Sequence, residues 1–272
     1  MQQEQYHIPV MLNECIEGLD IKPEGVYIDL TFGGGGHSKA IIQRLSEKGS
    51  LYAFDQDSDA IKNALDDERF TIIEDNFSNL TNQLKLYRVT QVDGILADLG
   101  ISSYQIDCAE RGFSTRFDAE LDLRMNRKQV LTAKDVVNTY SLEQLKKIFA
   151  NYGELSNAYQ IAKRIESSQI EGISTTNQLK EILQPLAQRG KENKFFAQVF
   201  QALRIEVNGE IDVLQKMLEQ TSPLLKQGGR LVVMSYHSLE DRLVKNYIKT
   251  GNCDGRIEKD FFGYLLNDLE AV

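Results

Sequence analysis

The chain has 272 residues, 42% of them hydrophobic, with 40 acidic against 31 basic side chains and a formal net charge of −9. That length suffices for one large domain or two modest ones with real cores. The acidic balance excludes a global attraction to polyanions, so any nucleic-acid contact must come from a local basic surface.

The opening MQQEQYHIPV has no basic segment followed by an apolar one, and nowhere do about 18 apolar residues run together, so secretion and membrane spanning are not expected and a cytoplasmic location is. Cys15, Cys108 and Cys253 are odd in number, far apart and free of C-x-x-C pairing. Isolated thiols are therefore expected, with no disulfide framework and no metal site.

Four short β-rich runs follow in order: VYIDL (26–30), SLYAFD (50–55), FTIIE (70–74) and VDGILADL (92–99), each separated by a helical stretch. Near-continuous apolar strands alternating with helices predict an α/β fold with a parallel sheet covered on both faces. From about Arg111 to Glu210 the strand signal stops and the chain reads helical. Ser141 with Gln144, and Thr175 with Gln178, form capping boxes ahead of LKKIFANYG and LKEILQPLAQ. The strand signal returns at GGRLVVMSY (228–236), introduced by Pro223 and the turn glycines. The predicted organisation is a discontinuous α/β domain, 1–108 and 209–272, interrupted by an all-helical insertion, 109–208.

The first strand runs into four glycines, 33–36, and then into a helix. Unpaired N–H groups in a first helical turn, glycines that admit a ligand to the main chain, and the crevice at the carboxyl ends of parallel strands together suit a nucleotide-like ligand. Gly33, Gly35 and Gly36 are the candidate contacts. Gly33-x-Gly35 lacks the third glycine of a dinucleotide fingerprint at its place, which weakens a pyrophosphate reading. Asp55 lies 19 residues past Gly36, where an acid accepts from ribose hydroxyls. It supports an adenosine cofactor without choosing between S-adenosylmethionine and NAD; the plainer reading is a solvated strand-end carboxylate.

Eight stretches in order, HIPVMLNE (7–14), YIDLTFGGGGHS (27–38), FDQD (54–57), DGILADLGISSYQID (93–107), ERGFS (110–114), LDLRM (121–125), FQALRIEVNGE (200–210) and SYHSLEDRLVK (235–245), resemble the bacterial 16S rRNA cytosine-N4 methyltransferase family. The resemblance implies a class I methyltransferase: a Rossmann-like, doubly wound sheet interrupted by a helical insertion that would serve as the RNA substrate domain. It also implies S-adenosylmethionine-dependent methylation of a decoding-centre cytidine, with 16S rRNA in the small subunit as partner. The family's cofactor contacts carry over to Gly35, Gly36, His37, Asp55, Phe77, Asp98 and Gln105. Phe77 is expected against the adenine and Gln105 at the polar end of the methionine moiety; otherwise they read as a core phenylalanine and a surface glutamine.

Methyl transfer from a sulfonium is an in-line displacement governed by positioning, and the cytosine amine, its lone pair delocalised into the ring, needs an acceptor beside its N–H. The tetrad that many exocyclic-amine methyltransferases place after the fourth strand is replaced here by Asp98-Leu99-Gly100-Ile101. Asp98 is therefore the expected acceptor, against a role in cofactor positioning alone. His237 is the second catalytic candidate, as a proton shuttle; in the plainer reading it and Ser238 start the following helix, with Ser238 as cap.

The target base must be splayed or flipped to be reached. Ser102, Ser103 and Tyr104 are candidates for holding it. Arg111 and Arg124, with Arg116, Arg127, Lys128, Arg189, Lys191 and Lys194, are candidates for phosphate contact, or a solvated charged face. The final GRIEKDFFGYLLNDLEAV (255–272) departs from the basic Asn-Pro-Arg-Ala-Arg-Ser-like run usual in the family. The rival expectation is thus a catalytically weakened assembly or binding protein of the small subunit. Monomer and homodimer both stay open.

Overall fold

A computed structural model describes residues 9–262 and 267–271; His7 and Ile8 of the first family stretch lie outside them. In chain order the elements are α1 (Leu12–Leu19), β1 (Val26–Asp29), α2 (Gly36–Ile42), β2 (Ser50–Asp55), α3 (Ser58–Ile61), β3 (Phe70–Glu74), α4 (Leu80–Leu86), β4 (Val92–Asp98), α5 (Ser103–Asp107), α6 (Ala133–Thr139), α7 (Leu142–Asn151), α8 (Ala158–Ser168), α9 (Thr176–Leu183), α10 (Glu192–Asn208), α11 (Glu210–Leu224), β5 (Leu225–Met234) and α12 (Ser238–Thr250). Among the described residues no helix is long and apolar enough to cross a membrane. Two compact units result: the described residues up to Gly100 with those from Ile211 onward, and Ile101–Glu210.

The first unit is built on one sheet of order β3-β2-β1-β4-β5 with every pairing parallel. Alternation along the strands sends side chains to two different cores. Ile28, Ile95 and Ala97 join Leu214, Met217 and Leu218 of α11 and Val244 and Tyr247 of α12. Tyr27, Leu51 and Leu96 join Cys15, Ile16 and Leu19 of α1 and Ile41 and Ile42 of α2. This is an α/β, doubly wound, class I methyltransferase-like sheet, and its chain order reverses between β1 and β4. Parallel strands on either side of such a reversal open a crevice at their carboxyl ends.

β5 is longer than its sequence signal and irregular. Val92 pairs with Leu225, but the next pair is Gly94 with Arg230, so Lys226–Gly229 loops out with Gly228 at φ 75°. Asp93, 7% exposed, anchors that irregularity by accepting from Lys226 Nζ at 2.6 Å and from the Val26 N–H at 2.9 Å.

The second unit is helical with its own core. α10 buries Phe195, Phe196, Val199, Phe200, Leu203 and Val207 along one stripe, the spacing a 3.6-residue period requires. Both expected capping boxes form, Ser141 with Gln144 and Thr175 with Gln178. Pro185 stops α9 short of the predicted run, which continues as a 3₁₀ turn at Gln184–Leu186.

Residues 112–131 are not helical, contrary to expectation. Buried polar side chains hold them instead. Arg111, 0% exposed, donates from Nη2 to the carbonyls of Arg124 and Met125 at 2.9 and 3.0 Å and lies over the Phe113 ring at 5.8 Å. Asn208 accepts from the Met125 N–H and donates to the Leu123 carbonyl, both at 2.8 Å.

Arg111 is thereby corrected from phosphate contact to internal tie. Arg124 is corrected likewise: its guanidinium is spent on Asp122 at 2.6 and 3.0 Å and on the Gln129 carbonyl at 2.7 Å. Arg111→Ala removes the donor from two partly buried carbonyls and leaves a cavity where a fully buried side chain stood, so it should cost roughly 3 kcal/mol or more in urea unfolding, whereas the exposed Arg127→Ala should cost under about 0.5 kcal/mol.

Candidate active site

The crevice is organised by Asp29, the last residue of β1 and 0% exposed. Its Oδ2 accepts from the Ser38 hydroxyl at 2.7 Å and its Oδ1 from the Thr31 N–H at 3.1 Å. Thr31 in turn accepts through Oγ1 from the Asp98 N–H at 2.7 Å, which ties the end of β1 to the end of β4. Burial raises the Asp29 pKa above the usual carboxylate range, against the lowering effect of the Ser38 and Thr31 hydrogen bonds.

The glycine turn has local reasons for its composition. Gly35 is the N-cap of α2 at φ 74°, a left-handed conformation that favours glycine, and a Cβ there would come within 2.9 Å of the Phe32 ring. A Cβ on Gly36 would collide with the ring of Pro9. The Gly33 N–H donates to Asp55 Oδ2 at 2.8 Å, so the first candidate glycine and the candidate ribose acid meet directly.

Asp55 is not a solvated strand end. Its Oδ1 also accepts from the Asp57 N–H at 2.8 Å. Burial, resisted by these two hydrogen bonds and reinforced by the charges of Asp57 and Asp29, pushes its pKa up to about 6. Each oxygen still has a lone pair beyond the one its N–H uses.

Phe77 opens a short 3₁₀ turn after β3 and is half-buried against the core of the sheet. Asn76 caps that turn and also donates to Gln56 Oε1 at 2.8 Å, joining the loops after β2 and β3.

His37 is 5% exposed. Its Nδ1 stands 3.9 Å from Asp98 Oδ2, and its Nε2 is buried with no hydrogen-bond partner among the described residues. Asp98, with 23% of its side chain exposed, accepts from the Tyr236 hydroxyl at 2.7 Å. Burial raises the Asp98 pKa, with Asp29 and Glu240 adding to the rise and Tyr236 and His37 opposing it.

Asp29, Thr31 and Tyr236 are site residues that sequence reasoning missed. The buried acid had a signal, a lone Asp closing an apolar strand. Tyr236 had none, because its partner lies 138 positions away.

His237 is placed otherwise than a free shuttle. It is the N-cap of α12, in place of the expected Ser238, and its Nδ1 faces the Glu240 N–H at 3.4 Å. Its Nε2 lies 3.3 Å from Glu240 Oε1, so both ring nitrogens face its own helix.

Gln105 belongs to the second unit, where it is 6% exposed. It forms a capping box with Ser102: the Ser102 N–H donates to Gln105 Oε1 at 3.1 Å and the Gln105 N–H to Ser102 Oγ at 3.2 Å. Ser103 and Tyr104 are exposed on the same short helix, α5.

The site acids make a signed prediction about pH. A carboxyl whose folded pKa lies above its unfolded value near 3.8 binds more protons folded than unfolded between the two, so its contribution to stability falls as pH rises through that window. For Asp55 the window runs from about 4 to about 6. Ligand-free wild type should lose roughly 2 kcal/mol relative to Asp55→Asn between pH 4.5 and pH 7, read as the difference between the two urea-melt series.

The sequence model of the MraW methylase family matches residues 4–262. A relative from Christiangramia forsetii, named ribosomal RNA small subunit methyltransferase H, is 55% identical over 269 residues, covering 98% of this chain and 89% of its own length. One of the same name from Flavobacterium psychrophilum is 56% identical over 254 residues, covering 93% and 87%. Another, from Phocaeicola vulgatus, is 54% identical over 268 residues, covering 98% and 88%.

Proposed function

The chain belongs to the MraW methylase family, and from that premise we propose that it methylates the N4 amine of a cytidine in 16S ribosomal RNA, the decoding-centre cytidine, with S-adenosylmethionine as donor. The observation that carries the reading is electrostatic. Asp29, Asp55 and Asp98 stand at the ends of β1, β2 and β4, and Asp29 raises the pKa of both of the others. Three acids in one crevice disfavour the pyrophosphate of a dinucleotide and favour a cation, which supports S-adenosylmethionine over NAD where the glycine turn and Asp55 alone left both open.

When bound, S-adenosylmethionine supplies an electrophilic methyl group on a positively charged sulfur. The remaining lone pairs of Asp55 would accept the two ribose hydroxyls, and ionised Asp55 would be needed to accept both. Phe77 offers an apolar face for the adenine, and glycine at 35 and 36 lets the turn pack against Phe32 and Pro9 beside the site. Asp98 accepts from the target amine. Asp98 would take the proton that the amine nitrogen releases on accepting the methyl group, the donor's sulfur keeping the bond pair, and the raised Asp98 pKa favours that role.

The phosphate contacts fall to the exposed cations of the second unit, Arg116, Arg127, Lys128, Arg189, Lys191 and Lys194, now that Arg111 and Arg124 are committed internally.

Incubation with methyl-labelled donor and small ribosomal subunits lacking the modification tests the reading. Label should appear on cytidine N4, and Asp98→Ala should lower turnover by about a hundredfold or more; donor binding without transfer would favour the assembly-factor reading. In calorimetry, Asp55→Ala should weaken donor binding by about tenfold or more through two lost charge-assisted hydrogen bonds.

A further inference from the structure

Tyr236 is 55% exposed, yet it is held from three directions. Its hydroxyl donates to Asp98 Oδ1 at 2.7 Å. Its backbone N–H donates to Glu240 Oε2 at 2.9 Å, and Glu240 is 3% exposed. Its ring lies beside Gly100, where a Cβ would stand 3.4 Å from Tyr236 Cδ2. Gly100 has φ 96°, so a side chain there would be strained as well as crowding the ring.

An exposed aromatic side chain ordinarily keeps its rotamer freedom and loses it only on binding a partner. Here that ordering has been done beforehand. The tether comes from the carboxylate at the end of β4, so the ring stands at the mouth of the crevice and beside the group that accepts from the amine. Its uncovered area is flat, apolar and rigid, which is what a splayed pyrimidine needs in place of its lost neighbours in a stack.

We propose that Tyr236 is a substrate-binding platform on which the target cytosine stacks, with the tether to Asp98 fixing ring and acceptor as one unit. The proposal rests on the function given above and adds the residue that holds the base. The hydroxyl and the ring then have separable jobs. The ring contributes to binding the base, and the hydroxyl keeps Asp98 turned toward the amine.

The experiment compares wild type, Tyr236→Leu, Tyr236→Phe and Tyr236→Trp in methyl transfer to small subunits, with donor affinity measured on each by calorimetry. Loss of the face in Tyr236→Leu should raise the KM for RNA at least about tenfold while donor affinity stays within about twofold. Loss of the tether in Tyr236→Phe should leave KM nearly unchanged and lower kcat.

Because the chain contains no tryptophan, Tyr236→Trp places a single indole at the position. Its emission should be quenched by a single-stranded, cytidine-containing oligonucleotide in the presence of donor, and not by an abasic one. An unchanged KM in Tyr236→Leu beside an active wild type, or an indole indifferent to the base, would overturn the platform alone. Absence of transfer by wild type together with absence of donor binding would overturn the functional reading and this inference with it.

Discussion

A fully buried carboxylate organises the first unit. Asp29 takes its compensation from one hydroxyl and one backbone N–H, which is weaker than pairing with a lysine or arginine, and its raised pKa records the shortfall. Buried charge handled this way costs stability and persists where the surroundings over-determine it. Two constraints follow from its place. The Ser38 bond fixes the first turn of α2, and with it the glycine bend; the Thr31 bond reaches the main chain of β4, and with it Asp98. The ends of two strands that diverge at the chain reversal are thus braced by a single side chain and its neighbour.

The same residue contributes to the field in the crevice. Its charge adds to burial in raising Asp55 and Asp98, so each ionised group in the site works against the others. On the function proposed above, a cationic donor would relieve that repulsion on entering, and stability given up by the ligand-free protein would return as affinity for a positively charged nucleoside. An oxidoreductase built on a similar sheet would face the opposite problem, a dianionic pyrophosphate brought against three acids. On that proposal the discrimination would lie in the strand ends rather than in the spacing of the glycines.

Much of this was legible in the sequence, and the physical reason differs by element. The four strands before Leu99 announced themselves because both sheet faces are covered, leaving nearly unbroken apolar runs, and β2 and β3 run over the residues expected for them. The capping boxes were readable because their chemistry is local. Residues 112–131 were misread as helical because the side chains that order them, Arg111 and Asn208, act across long sequence distances, and a buried arginine has the same letter as a solvated one. Gly112 and the Asp122-x-Arg124 pair hint at such a tie, since they mark a turn and an internal ion pair rather than a periodic face. Tyr236 escaped notice for the same reason of distance.

Central placement of β4 also dictates an order of assembly. Its partners are β1, which precedes it, and β5, which follows only after the whole of Ile101–Glu210 has been synthesised. During translation β4 therefore waits as an edge, with a nearly all-buried set of side chains and a row of unpaired peptide groups, a condition that invites association with other chains. Early collapse of the helical segment into its own core shortens the effective loop that must close before β5 can dock. On that order of synthesis, mutations that loosen the inserted unit, such as the loss of Arg111, should surface first as poor yield of the sheet domain.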